Sequence, residues 1–310
     1  MKKNLRPGTN LCLAIFSLLT IPAFVYAQPH KPKGIAPKKI TDNPPVTIAT
    51  ITPIDTALFP YVPLDGWVGR RFVFLPGPKA SENEIYDDFS GRLNRRQYQG
   101  RVAKVTGASD FSGRVHLELE MEDTRERLRA RTLPNKESVK GIALIDDLDN
   151  ARSQWAGKTL WCREPRLSTY DERNDQLGAL AVKRYSPLKV VDIVSGWDEE
   201  KPARFLLETA DGKRGFLDLN LSGTNVFKEV RHLYHMEHYF LAEDPRKVYK
   251  WSAQTWNMIE NSQIINGMTA AQVKLSWGEP DKITATAQGE NWSYSAGTLI
   301  FKKGVLSGKQ

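Results

Sequence analysis

Several stretches of this chain alternate apolar and polar residues with a period of two, as the strands of a half-exposed β-sheet do. In the clearest case, Val115–Glu122, valine, leucine and methionine alternate with histidine and glutamate. Farther along, the runs Phe205–Thr209 and Lys213–Leu217 flank Asp211-Gly212, a pair that favours a tight hairpin turn. Short strands bounded by turn residues predict small β-barrels or sandwiches.

The chain also matches itself when it is shifted by 88 residues. Trp67–Arg70 (Trp-Val-Gly-Arg) falls on Trp155–Lys158 (Trp-Ala-Gly-Lys), and Arg101–Val105 falls on Lys189–Ile193. Chance matches would not keep one register for about 60 residues, so the pattern indicates a duplication. We therefore expect two small β units in tandem.

The Trp-x-Gly-basic opening, the strand pair and the Asp-Gly hairpin resemble bacterial Src-homology-3-like barrels, in two copies between Tyr61 and about Ser222. Aromatic side chains in exposed grooves of such barrels could anchor a partner. The candidate binding residues are Trp67 and Trp155, and a place in the core is the competing interpretation for both.

From Trp251 onward the period becomes helical. Trp256 and Ile259 are three residues apart, as on one face of a short helix. Thr269 is a favourable N-cap for a second helix, with Gln272 at the position that completes a capping box, and Gly278 would end that helix. Two strands are expected to follow, with Val305 as the start of a last strand, so this part of the chain is predicted to be helix, helix, strand, strand.

The same region contains the most specific motif of the chain, which combines Gly267, Met268, Thr269, Trp277, Gly278 and Pro280. Between Trp251 and Val305 the spacing resembles the SmpA/BamE family of small outer-membrane lipoproteins, and the β-lactamase-inhibitor proteins that share their fold. The resemblance implies an envelope scaffold that binds other proteins and is not an enzyme. The chain departs from that family because it lacks a lipidated cysteine and is longer.

The first 27 residues have the features of a secretory signal peptide. A positively charged start is followed by an apolar run from Leu11 to about Val25 and by small residues before Ala27. The run is too short for a membrane span, and Gln28 at the next position excludes lipidation there. Residues 28–50, rich in proline and lysine, predict a flexible linker, either a plain spacer or an arm resting on anionic lipid or polymer.

Composition limits the function classes. The 310 residues are 40% hydrophobic, enough for a packed core, and the formal net charge is +8. Cleavage after Ala27 removes Lys2, Lys3 and Arg6 and lowers the charge to +5, which permits peripheral contact with an anionic membrane but does not indicate nucleic acid. It also leaves Cys162 without a disulfide partner; Cys162 falls on Phe74 in the repeat and is expected in the core.

Residues with catalytic or metal-binding patterns are few. His232, His235 and His238 have a spacing that would let a metal take two of them, but a polar, aromatic-rich face is the favoured interpretation. The acidic run Asp146–Asp149 lacks the glycine and distal glutamate of a calcium loop. No phosphate-binding loop, dinucleotide fingerprint or nucleophile elbow occurs in the sequence, so we assign no catalytic, cofactor or metal residue.

Together these patterns predict a mainly β protein with a C-terminal α+β module. Its expected parts are a signal peptide (1–27), a linker (28–50), two β-barrel repeats (51–134 and 135–224), a connecting segment (225–250) and the SmpA/BamE-like module (251–310). The predicted function is a non-enzymatic, periplasmic or secreted adaptor that binds envelope proteins or peptidoglycan. The alternatives are a wall-active hydrolase with substrate-binding barrels and a secreted inhibitor of another enzyme.

Overall fold

The computed structural model describes residue 51 and residues 54–76, 85–87, 97–132 and 138–310, with the backbone alone for 85–87. These ranges belong to one compact unit, Ile40–Gln310. The predicted signal peptide and linker lie outside them. The fold is mainly β, with three antiparallel sheets and a few short helices, which confirms the predicted class at this level. No helix in the described ranges is long and apolar enough to cross a bilayer.

The first sheet has six strands within the described ranges: β1 (Arg71–Phe74), β2 (Ile85–Asp87), β3 (Val102–Phe111), β4 (Arg114–Met121), β5 (Arg127–Arg131) and β6 (Ile142–Leu144). Their order across the sheet is β2-β5-β4-β3-β1-β6. The alternation predicted for β4 is confirmed, because Leu117, Leu119 and Met121 are buried while His116 and Glu118 face solvent.

Helix α1 (Ile145–Trp155) leads into a second sheet of seven strands. The strands are β7 (Thr159–Cys162), β8 (Arg166–Asp171), β9 (Gln176–Ala181), β10 (Pro187–Ser195), β11 (Ala203–Glu208), β12 (Arg214–Leu219) and β13 (Phe240–Leu241). Their order across the sheet is β13-β7-β10-β11-β12-β8-β9, and the short helix α2 (Met236–Tyr239) directly precedes β13. The predicted hairpin is present between β11 and β12, where Gly212 takes a positive φ of 78°.

The two sheets share one strand order. Read from β8 to β13, the second sheet runs β8-β12-β11-β10-β7-β13, which matches β2-β5-β4-β3-β1-β6 strand for strand in chain order. The second sheet then continues to β9. The described strands do not close either sheet on itself, because β2 and β6 end the first sheet and β9 and β13 end the second.

The backbone contacts correct the ungapped offset of 88 residues. Gly69 N–H donates to Val105 O, and Gly157 N–H donates to Val190 O, both at 2.8 Å. Val105 lies 36 residues after Gly69, whereas Val190 lies 33 residues after Gly157. Val105 therefore corresponds to Val190, three residues before the position that the offset of 88 predicts. A β-bulge follows Val105 in one sheet and Val190 in the other, which supports this equivalence.

The sheet pairings also move the predicted boundaries between units. β6, which falls within the range predicted for the second unit, pairs with β1, and β13, within the predicted connecting segment, pairs with β7. Both β1 and β6 are buried on two faces. Phe72 and Phe74 point into the core of the first sheet, while Val73 and Ala143 belong to the core of the second.

The elements of the C-terminal part are α3 (Pro245–Val248), α4 (Ala253–Glu260), α5 (Ala270–Trp277), β14 (Lys282–Thr286), β15 (Gly289–Tyr294), β16 (Gly297–Lys302) and β17 (Val305–Lys309). The four strands form a third sheet, in which β17 begins at Val305, as predicted. The predicted capping box of α5 is present, since Thr269 and Gln272 each accept a hydrogen bond from the other's backbone N–H. β14 was not predicted; its residues are all exposed, and only Ile283 and Ala285 alternate with polar neighbours.

A buried polar cluster ties the loop after β12 to α1. The Ser222 hydroxyl donates to the Asp147 carboxylate at 2.6 Å, and Thr224 Oγ1 accepts from the backbone N–H of Val62 at 2.9 Å. Asn225 fixes the same loop to the segment before β6 by donating to the carbonyls of Val139 and Ile142. Burial raises the pKa of Asp147 to about 6, although its hydrogen bonds from Ser222 oppose that shift.

This pKa shift predicts a pH-dependent stability. The folded protein holds the Asp147 proton more tightly than the unfolded chain does, because the pKa of Asp147 in the unfolded chain is near 3.8. Wild-type stability relative to Asp147→Asn should therefore fall as the pH rises from about 4 to about 6, by roughly 2 to 3 kcal/mol, and then stay level. Urea unfolding of both proteins between pH 4 and 8 measures this, and parallel curves would contradict it.

Candidate functional site

The two tryptophans predicted as binding anchors lie in the core, which corrects that hypothesis. Trp67 is 1% exposed, packs against Phe72 with ring centres 4.7 Å apart, and donates its indole N–H to Val62 O at 3.1 Å. Trp155 is 7% exposed at the end of α1, and its indole N–H has no hydrogen-bond partner among the described residues. A partner could not reach either ring without displacing the surrounding side chains.

The six motif residues of the C-terminal part shape turns and packing. Gly267 has a φ of 94° and its N–H donates to Leu306 O, while Met268 is 1% exposed in the core. Thr269 caps α5 and Gly278, with a φ of 91°, ends it before Pro280. The Trp277 indole N–H donates to Ser262 O at 2.9 Å. These contacts account for the motif as structural positions.

The predicted histidine cluster and cysteine lie apart from any cleft described below. The rings of His235 and His238 are 6.1 Å apart, and His235 Nδ1 lies 3.1 Å from Leu221 O. Within the described ranges, no group of three histidine, cysteine or acidic side chains could hold a metal ion. Cys162 is fully buried on β7, and burial raises the pKa of its thiol to about 12.

A cleft of about 620 Å³ opens along one face of α4, where the second sheet meets the C-terminal helices. Its volume lies within the range that ligand sites commonly have. We call it the junction cleft. It is lined by Lys183, Arg246, Lys250, Trp251, Ala253, Trp256, Asn257 and Glu260.

The segment between β9 and β10 holds the two sides of the junction cleft together. Arg184 donates to Ser262 Oγ and to Ser276 O, both at 2.7 Å. Tyr185 is fully buried, and its hydroxyl donates to Leu275 O. Its ring also packs with Trp256 in a hydrophobic cluster shared by both sides. The junction cleft is therefore preformed, because buried contacts fix its walls.

A buried carboxylate lies at the base of the junction cleft. Glu260 has a side chain only 5% exposed, and it accepts from Lys183 Nζ at 2.6 Å and from the Arg246 guanidinium. Arg246 also donates to Tyr185 O at 2.8 Å. Glu260 is thus neutralised by two cations, whereas the exposed Lys250 forms no ion pair with the described residues. The cleft as a whole carries an excess of positive charge.

Aromatic rings form the other wall. Tyr249 and Trp251 are stacked with ring centres 4.3 Å apart and an angle of 6° between their planes. Trp251 lies 5.3 Å from Trp256, and the Arg246 guanidinium lies over Trp256 at 5.2 Å. Trp256 is 6% exposed and Tyr249 does not line the cleft, so the half-buried Trp251 is the ring that a ligand could contact. An aromatic ring beside ammonium and guanidinium groups suits a ligand that combines apolar ring surfaces with carboxylates.

Sequence reasoning did not find the junction cleft, although part of its signal was present. The helical spacing that predicts α4 also places Ala253, Trp256 and Glu260 on one face. Lys183, however, lies 77 residues before Glu260, and no local pattern reports that contact. The docking of the 183–185 segment is a tertiary feature.

No known protein family, curated protein or solved structure matches this chain. The resemblances to Src-homology-3-like barrels and to the SmpA/BamE family therefore stay predictions from the sequence. Function has to be inferred from the geometry of the surfaces that the chain presents.

The two buried tryptophans give a matched pair of stability predictions. Trp67→Phe removes a hydrogen bond and leaves Val62 O without its donor, so it should lower the free energy of unfolding by about 2 to 3 kcal/mol. Trp155→Phe removes an indole N–H that has no partner among the described residues, so it should lower the free energy of unfolding by only about 1 kcal/mol. Urea unfolding measures both, and equal losses would show that the hydrogen bond at Trp67 contributes nothing.

The two ion pairs of Glu260 give a second matched set of stability predictions. Glu260→Gln leaves Arg246 without its buried counter-charge and should lower the free energy of unfolding by about 2 to 4 kcal/mol. Lys183→Gln removes a partner whose side chain is 68% exposed, so its loss should stay below about 1 kcal/mol. Thermal and urea unfolding compare the two. A larger loss for Lys183→Gln would overturn the assignment of Glu260 and Arg246 as the main pair.

Proposed function

We propose that this protein is an exported, non-enzymatic adaptor of the bacterial cell envelope that binds an anionic cell-wall polymer, such as peptidoglycan, in the junction cleft. The observation that carries the proposal is the exposed Lys250 next to the stacked rings of Tyr249 and Trp251. Peptidoglycan offers both matching groups, since its sugar rings have apolar faces and its peptides carry carboxylates. Export rests on the signal-peptide features of the first 27 residues.

The architecture we propose for this adaptor is a pair of Src-homology-3-like barrels followed by an SmpA/BamE-like module. The common strand order of the two sheets supports a duplication, as does the bulge at matching places in β3 and β10. For the last module, support comes from the capping box at Thr269 and the turn at Gly278. Modules of this kind hold surfaces in fixed positions, which is what an adaptor requires.

One observation favours the hydrolase alternative. Asp147, whose pKa is raised to about 6, borders a second cleft of about 220 Å³ together with Asp146 and Asp149. A protonated carboxylic acid near an ionised one is the arrangement that glycoside hydrolases use. Asp147 is, however, 8% exposed and hydrogen-bonded to Ser222, which holds it away from a substrate. We therefore place the hydrolase second.

Binding to purified, insoluble peptidoglycan tests the adaptor proposal. Lys250→Gln and Trp251→Ala should each weaken co-sedimentation by about tenfold, because each removes one of the two groups that contact the polymer. Lys282→Gln is the matched control, since Lys282 is an exposed lysine on β14, outside the cleft.

Two results would contradict the adaptor proposal. Equal losses for Lys250→Gln and Lys282→Gln would indicate general charge attraction instead of a site. Soluble wall fragments that accumulate with time, and that disappear in Asp147→Asn, would favour the hydrolase. Retention of the intact polymer without release of fragments is the expected outcome.

A further inference from the structure

β9 is an edge strand with no charge along its length. Among the described strands it ends the second sheet, and five of its six residues are exposed, with Leu180 half-buried. Edge strands expose unpaired backbone groups, and proteins usually protect them with charged side chains. β14, which ends the third sheet, begins with Lys282. β9 has no such protection, so its free edge is suited to pair with another strand.

An apolar surface adjoins this edge. Leu177 on β9 is 66% exposed and lies opposite Tyr170 on β8, which is 37% exposed. The Tyr170 ring meets the half-buried Trp197 edge to face at 4.7 Å. We call these three side chains the β9 platform.

The β9 platform is held rigidly from below. The Arg204 guanidinium lies between Trp197 and Phe216, 3.9 and 3.8 Å from the two ring centres. Asp218 fixes Arg204 with two hydrogen bonds of 2.7 Å. Both the rings and the cation are therefore ordered before any partner arrives, which reduces the entropy lost on binding.

Two acidic turns border the β9 platform. The turn at 171–175 and the segment 198–201 each contain three acidic residues and one basic residue, in a chain whose net charge is +8. Asp175 accepts from the Tyr170 hydroxyl, and Asp198 pairs with Lys201. Glu172 and Glu200 form no ion pair with the described residues. At the other end of β9 the charge is positive, with Arg166 opposite Ala181 and Lys183 beyond it.

We propose that β9 binds an extended peptide segment of a partner protein by strand addition. One apolar side chain of that segment packs on the β9 platform, and its basic residues lie at the Leu177 end, near Glu172 and Glu200. Antiparallel pairing of two β9 edges would bring the acidic turn of one copy beside the basic end of the other, so a second copy of this chain is the alternative outcome that the test below distinguishes. An anionic polymer is disfavoured at the Leu177 end, because the acidic side chains there would repel it. This site is separate from the junction cleft.

A synthetic eight-residue peptide tests the proposal with the full chain. Lysine and valine alternate in one half of the peptide, and threonine and valine alternate in the other. Fluorescence anisotropy at about 0.15 M salt, where long-range attraction is screened, should show saturable binding. A peptide with glutamate in place of lysine should bind about tenfold more weakly, and replacing its central valines by proline should abolish binding, because proline cannot donate to a ladder.

Variants locate the site. Leu177→Lys should weaken binding of the lysine peptide by about tenfold. Ile283→Lys is the matched control, because Ile283 is an exposed apolar residue on another edge strand, β14; this variant should leave the affinity for the lysine peptide unchanged. The double variant Glu172→Gln, Glu200→Gln should weaken binding of the lysine peptide several-fold without changing the core. Lys250→Gln, in the junction cleft, should not change binding of this peptide.

Each of the following results would overturn the proposal: no saturable binding of the lysine peptide, equal losses for Leu177→Lys and Ile283→Lys, or equal affinity for the lysine and glutamate peptides. Loss of peptidoglycan binding in Leu177→Lys would also overturn it, since the polymer would then occupy this edge. So would a dimer of the free chain that Leu177→Lys abolishes, since a second copy would then occupy it.

Discussion

The two-sided burial of β1 and β6 is the constraint on which the rest of the fold depends. These neighbouring strands have one set of side chains in each of two cores, with Phe72 and Phe74 on one side and Val73 and Ala143 on the other. Neither sheet can move without opening the core of the other. α1 follows β6 directly, so its position is set by the same contact, and with it the polar cluster around Asp147. The two sheets therefore belong to one compact unit.

Shared buried contacts also join the second sheet to the C-terminal helices, where hydrogen bonds replace part of the apolar packing. Arg184 and Tyr185 insert their side chains against the C-terminal helices and satisfy carbonyl groups there. A buried hydrogen bond to a carbonyl specifies one arrangement, because any shift leaves both groups without partners. The walls of the junction cleft are thus positioned by residues outside it. Glu260 contributes by neutralising two cations that would otherwise repel each other.

The sequence predicted those features that a local pattern encodes. The period of two in β4, the hairpin at Gly212 and the capping box at Thr269 each depend on residues within a few positions of one another. The match of β3 to β10 was missed by three residues, because the β-bulge after Val190 reverses the alternation and buries Ile193 as well, so apolar residues still coincide in the shifted alignment. For Trp67 and Trp155 the sequence left a binding role and a place in the core open, and burial supports the core, because exposure depends on what packs above a ring.

Sequence could not predict the candidate surfaces, and the reason is topological. Within the described ranges, the second sheet differs from the first by the additional strand β9. That strand presents Leu177 at a free edge and then leads directly into the 183–185 segment, which forms one wall of the junction cleft. This strand and the segment that follows it therefore contribute to both surfaces. Their charges differ in sign: the cleft has an excess of cations, whereas the Leu177 end of β9 is bordered by acids. An adaptor that holds two partners of opposite charge needs such a separation, because a single surface of either sign would repel one of them.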